Sequence, residues 1–138
     1  MADIRFDTGL KKFNINGATE VCFAPTDMNF IEKVYSAMER LDEKQGEYKD
    51  IFATAKDTEI FDLVRRMDAD ARAEINSIFE TDICTPVFGQ MNLFTVAEGL
   101  PVWANFILAL IDELDGAFAE EKKKTNPRIQ KYTAKYKR

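Results

Sequence analysis

The stretch Gly99–Phe118 reads GLPVWANFILALIDELDGAF and decides the fold, because it contains the longest apolar run of the chain. Between Leu100 and Ile111 the run is interrupted only by Asn105, and it is shorter than the roughly 20 residues that cross a bilayer. Its large side chains recur at spacings of three and four, which is the pattern of a wide apolar helix face: Trp103, Phe106, Ile107, Leu110, Leu114 and Phe118. The stretch predicts a helix at the centre of a globular core.

A long helix is predicted upstream, after Pro25, because Thr26 and Asp27 offer side-chain oxygens that cap a helix. Gly46 favours a bend or fraying within it, since glycine costs about 1 kcal/mol relative to alanine in a helix. Its inward positions form a seam of about three heptads, with Gln45 as the one polar layer: Ile31, Val34, Met38, Leu41, Gln45, Tyr48 and Phe52.

A second helix is predicted from a cap near Asp57 or Thr58 to about Phe79. The short connection between the two helices predicts an antiparallel helical hairpin. One stripe of the second helix is apolar and should face the first: Ile60, Val64, Met67, Ala71, Ile75 and Ile78.

The first 25 residues predict strands, since apolar and polar side chains alternate at Ile4 and Phe6, at Phe13 and Ile15, and again from Thr19 to Phe23. The turn between the strand of Phe13 and Ile15 and the strand from Thr19 to Phe23 contains Asn16-Gly17. A two-residue loop would place Phe13 opposite Glu20, whereas an odd-length loop places Phe13 and Ile15 on the face of Val21 and Phe23. A one-sided core therefore favours the odd loop.

Residues 80–99 break the helical pattern, and Thr85-Pro86 predicts a cap followed by a short helix from Pro86 to about Phe94. The predicted fold is α+β and mainly α: a β-hairpin or short meander packed on a bundle of about four helices. Residues 1–121 form one domain, with strands in 1–25 and helices in 27–120. Residues 122–138 form a basic, amphipathic tail.

The charge of the chain is divided along its length. Residues 1–121 hold all 24 acidic side chains and 11 basic ones, a net charge of −13, whereas residues 122–138 hold eight basic side chains and no acidic one. A basic tail on an acidic body indicates that the tail meets something negative, which can be nucleic acid, a partner protein or another copy of the body. The acidic body disfavours nucleic acid.

The composition argues against an enzyme. The chain has no histidine, which excludes catalytic triads that use histidine and histidine-ligated metals. Its glycines form no phosphate-binding loop. The densest carboxylates are Asp68 with Asp70 and the group Asp112, Glu113 and Asp115. Asp112 and Asp115 share a helix face and could hold a cation, but a solvated face is the simpler interpretation. We predict no catalytic, metal or cofactor site.

Protein binding is the predicted activity, with self-association as a further possibility. The aromatic residues Phe88, Phe94 and Trp103 are typical of an interface, although the same residues would serve in a core. The tail adds charge and two tyrosines. The candidate partner-binding residues are Phe88, Phe94, Trp103, Lys122, Lys123, Lys124, Arg128, Lys131, Tyr132, Lys135 and Tyr136.

Four stretches carry a family resemblance: Phe13–Gly17, Pro25–Glu32, Gly99–Asn105 and Thr125–Arg128. Through them the chain resembles, over nearly its whole length, a family of small phage and prophage tail-region proteins of Gram-positive hosts that look like tail assembly chaperones. The resemblance implies a chaperone that binds the helical tape-measure protein or tail-tube subunits, without cofactor, in the bacterial host cytoplasm. The family has no catalytic motif to carry over.

Two alternatives stay open beside the chaperone. One is a structural tail component, such as a tube-terminating or completion protein, which would form rings and stay in the virion. The other is a phage-encoded inhibitor or nucleic-acid-binding regulator, whose affinity for DNA would depend on the basic tail and on salt.

Overall fold

The structure, a computed structural model, describes residues 1–124 and Arg128, and it is α+β and mainly α, as predicted. A β-hairpin at the N-terminal end packs on a helical bundle, and a second, very short strand pair precedes the last helix. The elements in chain order are β1 (Lys11–Ile15), β2 (Thr19–Phe23), α1 (Met28–Thr54), α2 (Asp57–Phe79), α3 (Cys84–Phe88), β3 (Val96–Ala97), β4 (Leu100–Pro101) and α4 (Val102–Lys123).

The register of the β-hairpin confirms the odd-length loop. Phe13 pairs with Val21 and Ile15 with Thr19, so three residues close the hairpin. Asn16 and Gly17 take left-handed backbone angles, with φ of 50° and 71°. This parity places the apolar side chains of β1 and β2 on one face, toward the helices.

The predicted strand around Ile4 and Phe6 is wrong, so the hairpin is not extended into a meander. Residues 1–10 form no strand, and Ile4 and Phe6 are 90% and 75% exposed. The Asp7 carboxylate accepts a hydrogen bond from the Gly9 backbone N–H at 2.8 Å, and Gly9 has φ of 81°. No strand of residues 1–10 pairs with β1, which this turn precedes.

Helix α1 begins after Asp27, as predicted. The Asp27 carboxylate caps it by accepting a hydrogen bond from the Asn29 backbone N–H at 2.9 Å. The helix runs without interruption to Thr54, so it does not fray at Gly46. Gln45 is exposed and is not the polar layer that the heptad pattern predicted. Within the predicted seam Val34, Leu41 and Tyr48 are buried, and Ala37 is buried beside it.

Helix α2 packs antiparallel to α1, as predicted. Arg40 and Lys44 of α1 both contact the Glu74 carboxylate of α2, at 2.6 and 3.3 Å. The helix begins at Asp57 and ends at Phe79, as predicted, but Lys56 precedes it and provides no side-chain cap. The last four residues of the predicted stripe are buried, from Met67 to Ile78. Its first two, Ile60 and Val64, are half-buried, and Leu63 is buried instead.

Helix α3 corrects the prediction of a helix from Pro86 to Phe94. Asp82 accepts hydrogen bonds from the Thr85 backbone N–H at 3.1 Å and from the Thr85 hydroxyl at 2.6 Å. These bonds start the helix at Cys84, before Pro86. The helix then ends at Gly89, whose φ of 58° is left-handed, and the chain continues as a loop into β3 and β4.

Helix α4 lies at the centre of the core, as its apolar face predicted. Ile107 is fully buried, and Trp103, Leu110 and Leu114 are buried along the same face. The core joins this face to the hairpin through Val21 and to the two long helices. Helix α4 ends at Lys123, so its last turn includes the start of the predicted tail.

Candidate functional site

An open apolar groove lies between the edge of β1, the end of α3 and one side of α4. Its cavity volume is about 580 Å³, which is within the range of binding sites that take a few large side chains. The residues that line it are Phe13, Asn14, Ile15, Asn16, Val21, Phe23, Phe79, Val87, Phe88, Met91, Val102, Asn105, Phe106, Ala109, Leu110 and Glu113.

Stacked aromatic rings build the floor of the groove and connect it to the core. Phe23 stacks on Phe13 and on Phe30, with ring centroids 4.3 Å apart in both pairs. On the other side, Phe88 meets Phe106 edge to face at 6.2 Å. These ring contacts join β1 to β2, the hairpin to α1, and α3 to α4.

The loop after α3 forms one wall of the groove, and an arginine on α2 holds it in place. The Arg72 guanidinium donates to the backbone carbonyls of Gly89 and Met91, at 2.7 and 2.8 Å. It also donates to the Asp68 carboxylate at 3.0 Å, and Asp68 in turn accepts from the Leu93 backbone N–H at 2.8 Å. Met91, which lines the groove, therefore depends on this pair for its position.

The candidate carboxylates of α2 are engaged in structural contacts. Asp68 belongs to the loop contact just described, and Asp70 accepts a hydrogen bond from the Tyr48 hydroxyl. Burial, with the neighbouring Asp70 carboxylate, raises the pKa of Tyr48 to about 12. Both carboxylates thus connect parts of the fold.

The two cysteines differ in chemical accessibility. Cys84 is buried, and burial raises the pKa of its thiol to about 12, so it is protonated at neutral pH and is a poor nucleophile. Cys22 lies exposed on β2.

The acidic residues of α4 do not converge on a common point. Asp112 and Asp115 are both exposed. Across residues 1–124 and Arg128, no group of three or more acidic, cysteine or histidine side chains has the arrangement of a metal site. Within the same part of the chain, no helix has the length and apolar character needed to cross a membrane.

The three predicted aromatic residues occupy different places. Phe88 lines the groove, whereas Phe94 and Trp103 pack against each other edge to face, with centroids 6.4 Å apart, and do not line it. Trp103 is 5% exposed, and its indole N–H is buried without an acceptor among the described residues. Trp103 contributes an apolar body to the core.

The predicted basic residues lie at and beyond the end of α4. Lys122, Lys123 and Lys124 are exposed, and the last two pair within one turn with Glu120 at 3.7 Å and Glu121 at 3.0 Å. Arg128 is exposed. The remaining predicted positions lie outside the described residues: Lys131, Tyr132, Lys135 and Tyr136.

Several groove residues were missed by the sequence interpretation. Phe13 and Ile15 were recognised as an apolar strand face, but their position beside α4 depends on how the hairpin packs. Ala109 carries no local signal of a binding surface, since it is an ordinary apolar residue of a helix.

Comparisons with known proteins give no relative from which to infer function. No protein-family model, curated protein or solved structure matches the chain.

Proposed function

We propose that the chain is a phage or prophage tail assembly protein that acts by binding another protein, as a chaperone for the tape-measure protein in the bacterial host cytoplasm. The observation that carries the proposal is the open apolar groove beside Phe88. A tape-measure protein is long and helical, and an amphipathic helix places anchors at i, i+3, i+4 and i+7 into a groove of this kind.

The shape and chemistry of the groove support a helical client. Half-buried Phe13, Ile15, Phe88 and Phe106 offer apolar contact on both sides. Glu113 is the charged side chain among the described residues that line it. The preferred client helix therefore carries apolar anchors with a lysine or arginine beyond the last anchor, where it can meet Glu113.

Chemistry and resemblance support the same proposal. The absence of histidine and the inert, buried Cys84 leave little equipment for catalysis, whereas holding an apolar helix requires none. The resemblance of Gly99–Asn105 and the three other stretches to phage tail-region proteins supports a tape-measure or tail-tube protein as the client.

The experiment measures binding of tape-measure fragments to the purified chain by calorimetry, with a variant that fills the groove. Ala109 is an exposed alanine on α4 that lines the groove, so Ala109→Arg places a long charged side chain there without removing a core residue. Ala119→Arg is the matched control, because Ala119 is also an exposed alanine of α4 and does not line the groove.

We expect micromolar binding that Ala109→Arg weakens at least about tenfold and Ala119→Arg leaves unchanged. Absence of any complex with all fragments, or equal loss in both variants, contradicts the proposal. Presence of the chain as a ring in finished virions would instead indicate the structural tail component.

A further inference from the structure

The first ten residues form a mostly exposed segment outside any helix or strand, which we call the N-terminal arm. Met1, Ile4, Phe6 and Leu10 are all large apolar side chains that are more than half exposed. Ile4 and Phe6 are two residues apart, with charged Arg5 between them and Asp3 and Asp7 outside, so an extended arm has one apolar and one charged face.

Strand β1 has an unpaired edge that borders the groove. The sheet contains two strands, and β1 pairs with β2 alone within the described part of the chain. Three residues of β1, from Phe13 to Ile15, line the groove, and Asn16 of the turn extends this lining. An edge of this kind presents backbone donors and acceptors to any strand that arrives beside it.

The arm does not line the groove of its own chain. The turn at Asp7 and Gly9 brings Gly9 close to Thr26, since a Cβ built on Gly9 would lie 4.0 Å from the Thr26 hydroxyl oxygen. Leu10 then lines a second cleft on the β2 side of the hairpin, with Cys22 and Ala24. The arm is therefore exposed, and the free edge of β1 has no partner strand among the described residues.

We propose that the groove binds the N-terminal arm of a second copy of this chain, which adds to β1 as an antiparallel third strand. In the register that places Phe6 of the arm opposite Phe13, Ile4 lies opposite Ile15. The side chains of Phe6 and Ile4 then enter the groove of the second copy. On the other face Asp7 then lies opposite Lys12, an attractive pair. A shift of two residues would place Arg5 opposite Lys12 or move Ile4 beyond the end of β1.

Reciprocal exchange makes the contact twofold, because each copy offers one arm and one groove. The inference does not rest on the proposed function, since it concerns the chain alone. If the groove also takes a client helix, the arm and the client compete for it. Arm exchange would then cover the apolar groove until a client displaces it.

Sedimentation of the full chain between about 1 and 100 µM tests the proposal. We expect a concentration-dependent monomer–dimer equilibrium. Phe6→Ser should raise the dimer dissociation constant at least about tenfold, because each dimer loses two buried phenylalanines. Phe61→Ser is the matched control: Phe61 is 72% exposed on α2, against 75% for Phe6, and lies outside arm and groove.

Two further variants test the register. Asp7→Lys and Lys12→Asp should each weaken the dimer, and the double variant should restore it in part. In a Cys22→Ser background, chains with Arg5→Cys mixed with chains with Asn14→Cys should form a disulfide between copies, since positions 5 and 14 are opposite.

A chain that stays monomeric throughout, or one in which Phe6→Ser and Phe61→Ser act equally, would overturn the proposal. Dimers in which Arg5→Cys of one copy and Asn14→Cys of the other form no disulfide would also overturn it. If no tape-measure fragment binds, or if Ala109→Arg does not weaken its binding, the expected self-association is unaffected. The two proposals therefore fail separately.

Discussion

Replacing Arg72 by methionine tests how the groove wall is held. Arg72 is 20% exposed and Asp68 22%, so both are largely shielded from solvent. The substitution keeps the apolar length of the side chain and removes its three hydrogen bonds, to Asp68, Gly89 and Met91. It therefore separates the charge and hydrogen bonds from packing.

The expected cost follows from these contacts. A hydrogen bond to a charged group contributes about 1.5–3 kcal/mol and an exposed i,i+4 ion pair about 0.3–0.5 kcal/mol, so the partly shielded Arg72–Asp68 pair falls between these values. The two backbone carbonyls lie in an exposed loop and regain water, so we expect a net loss of about 2–3 kcal/mol. For a chain of this size the melting temperature should fall by roughly 8–12 °C.

Urea unfolding of both proteins measures the difference, with Arg65→Met as the control. Arg65 pairs with Asp62 three residues away on the same helix, but both side chains are about 70% exposed. The control should lose less than about 1 kcal/mol. If Arg72→Met and Arg65→Met cost the same within about 0.5 kcal/mol, the loop is held by packing and the reasoning is refuted.

Three further predictions concern backbone, thiols and acid. Gly46→Ala should stabilise the chain by about 0.5–1 kcal/mol and Gly17→Ala destabilise it by about 1 kcal/mol in urea unfolding, because both sites are open but Gly17 has φ of 71°. Ellman's reagent at pH 8 should label Cys22 rapidly and Cys84 only on unfolding; equal rates would contradict the buried thiol. The Thr85 hydroxyl and backbone N–H lower the pKa of Asp82 below its ordinary 3.8, so Asp82 stabilises the fold above that value and this stabilisation is lost as pH falls through the folded pKa. Asp82→Asn should therefore reduce the drop in unfolding free energy between neutral pH and pH 3, and an unchanged drop would contradict the assignment.

Local patterns were sufficient to predict much of the fold. The odd hairpin loop followed from parity, because a register shift by one residue would have moved Phe13 to the solvent face. The cap at Asp27 and the buried face of α4 followed from short-range rules. Each of these features depends on residues close together in the sequence, so spacing and side-chain chemistry are sufficient to predict it.

The features that failed depend on competition or on distant partners. Thr85-Pro86 has the pattern of a helix start, but Asp82 accepts both donors of Thr85 and starts the helix earlier. Asp68 was assigned to a carboxylate cluster, and its contact with the Leu93 backbone N–H spans 25 residues. Alternation at Ile4 and Phe6 was real, and β1 has an unpaired edge, but alternation alone does not decide whether a segment pairs within its own chain.

That last failure connects the fold to both proposals. The arm keeps the pattern of a strand without a partner in its own chain, and β1 keeps an unpaired edge beside an apolar groove. Arg72 holds one wall of that groove, so Arg72→Met should weaken client binding and self-association together. Phe6→Ser removes the competing arm and leaves the groove intact, so it should weaken self-association and strengthen client binding. Opposite effects of Phe6→Ser on the two equilibria would require one shared groove, whereas independent effects would place client and second copy on different surfaces.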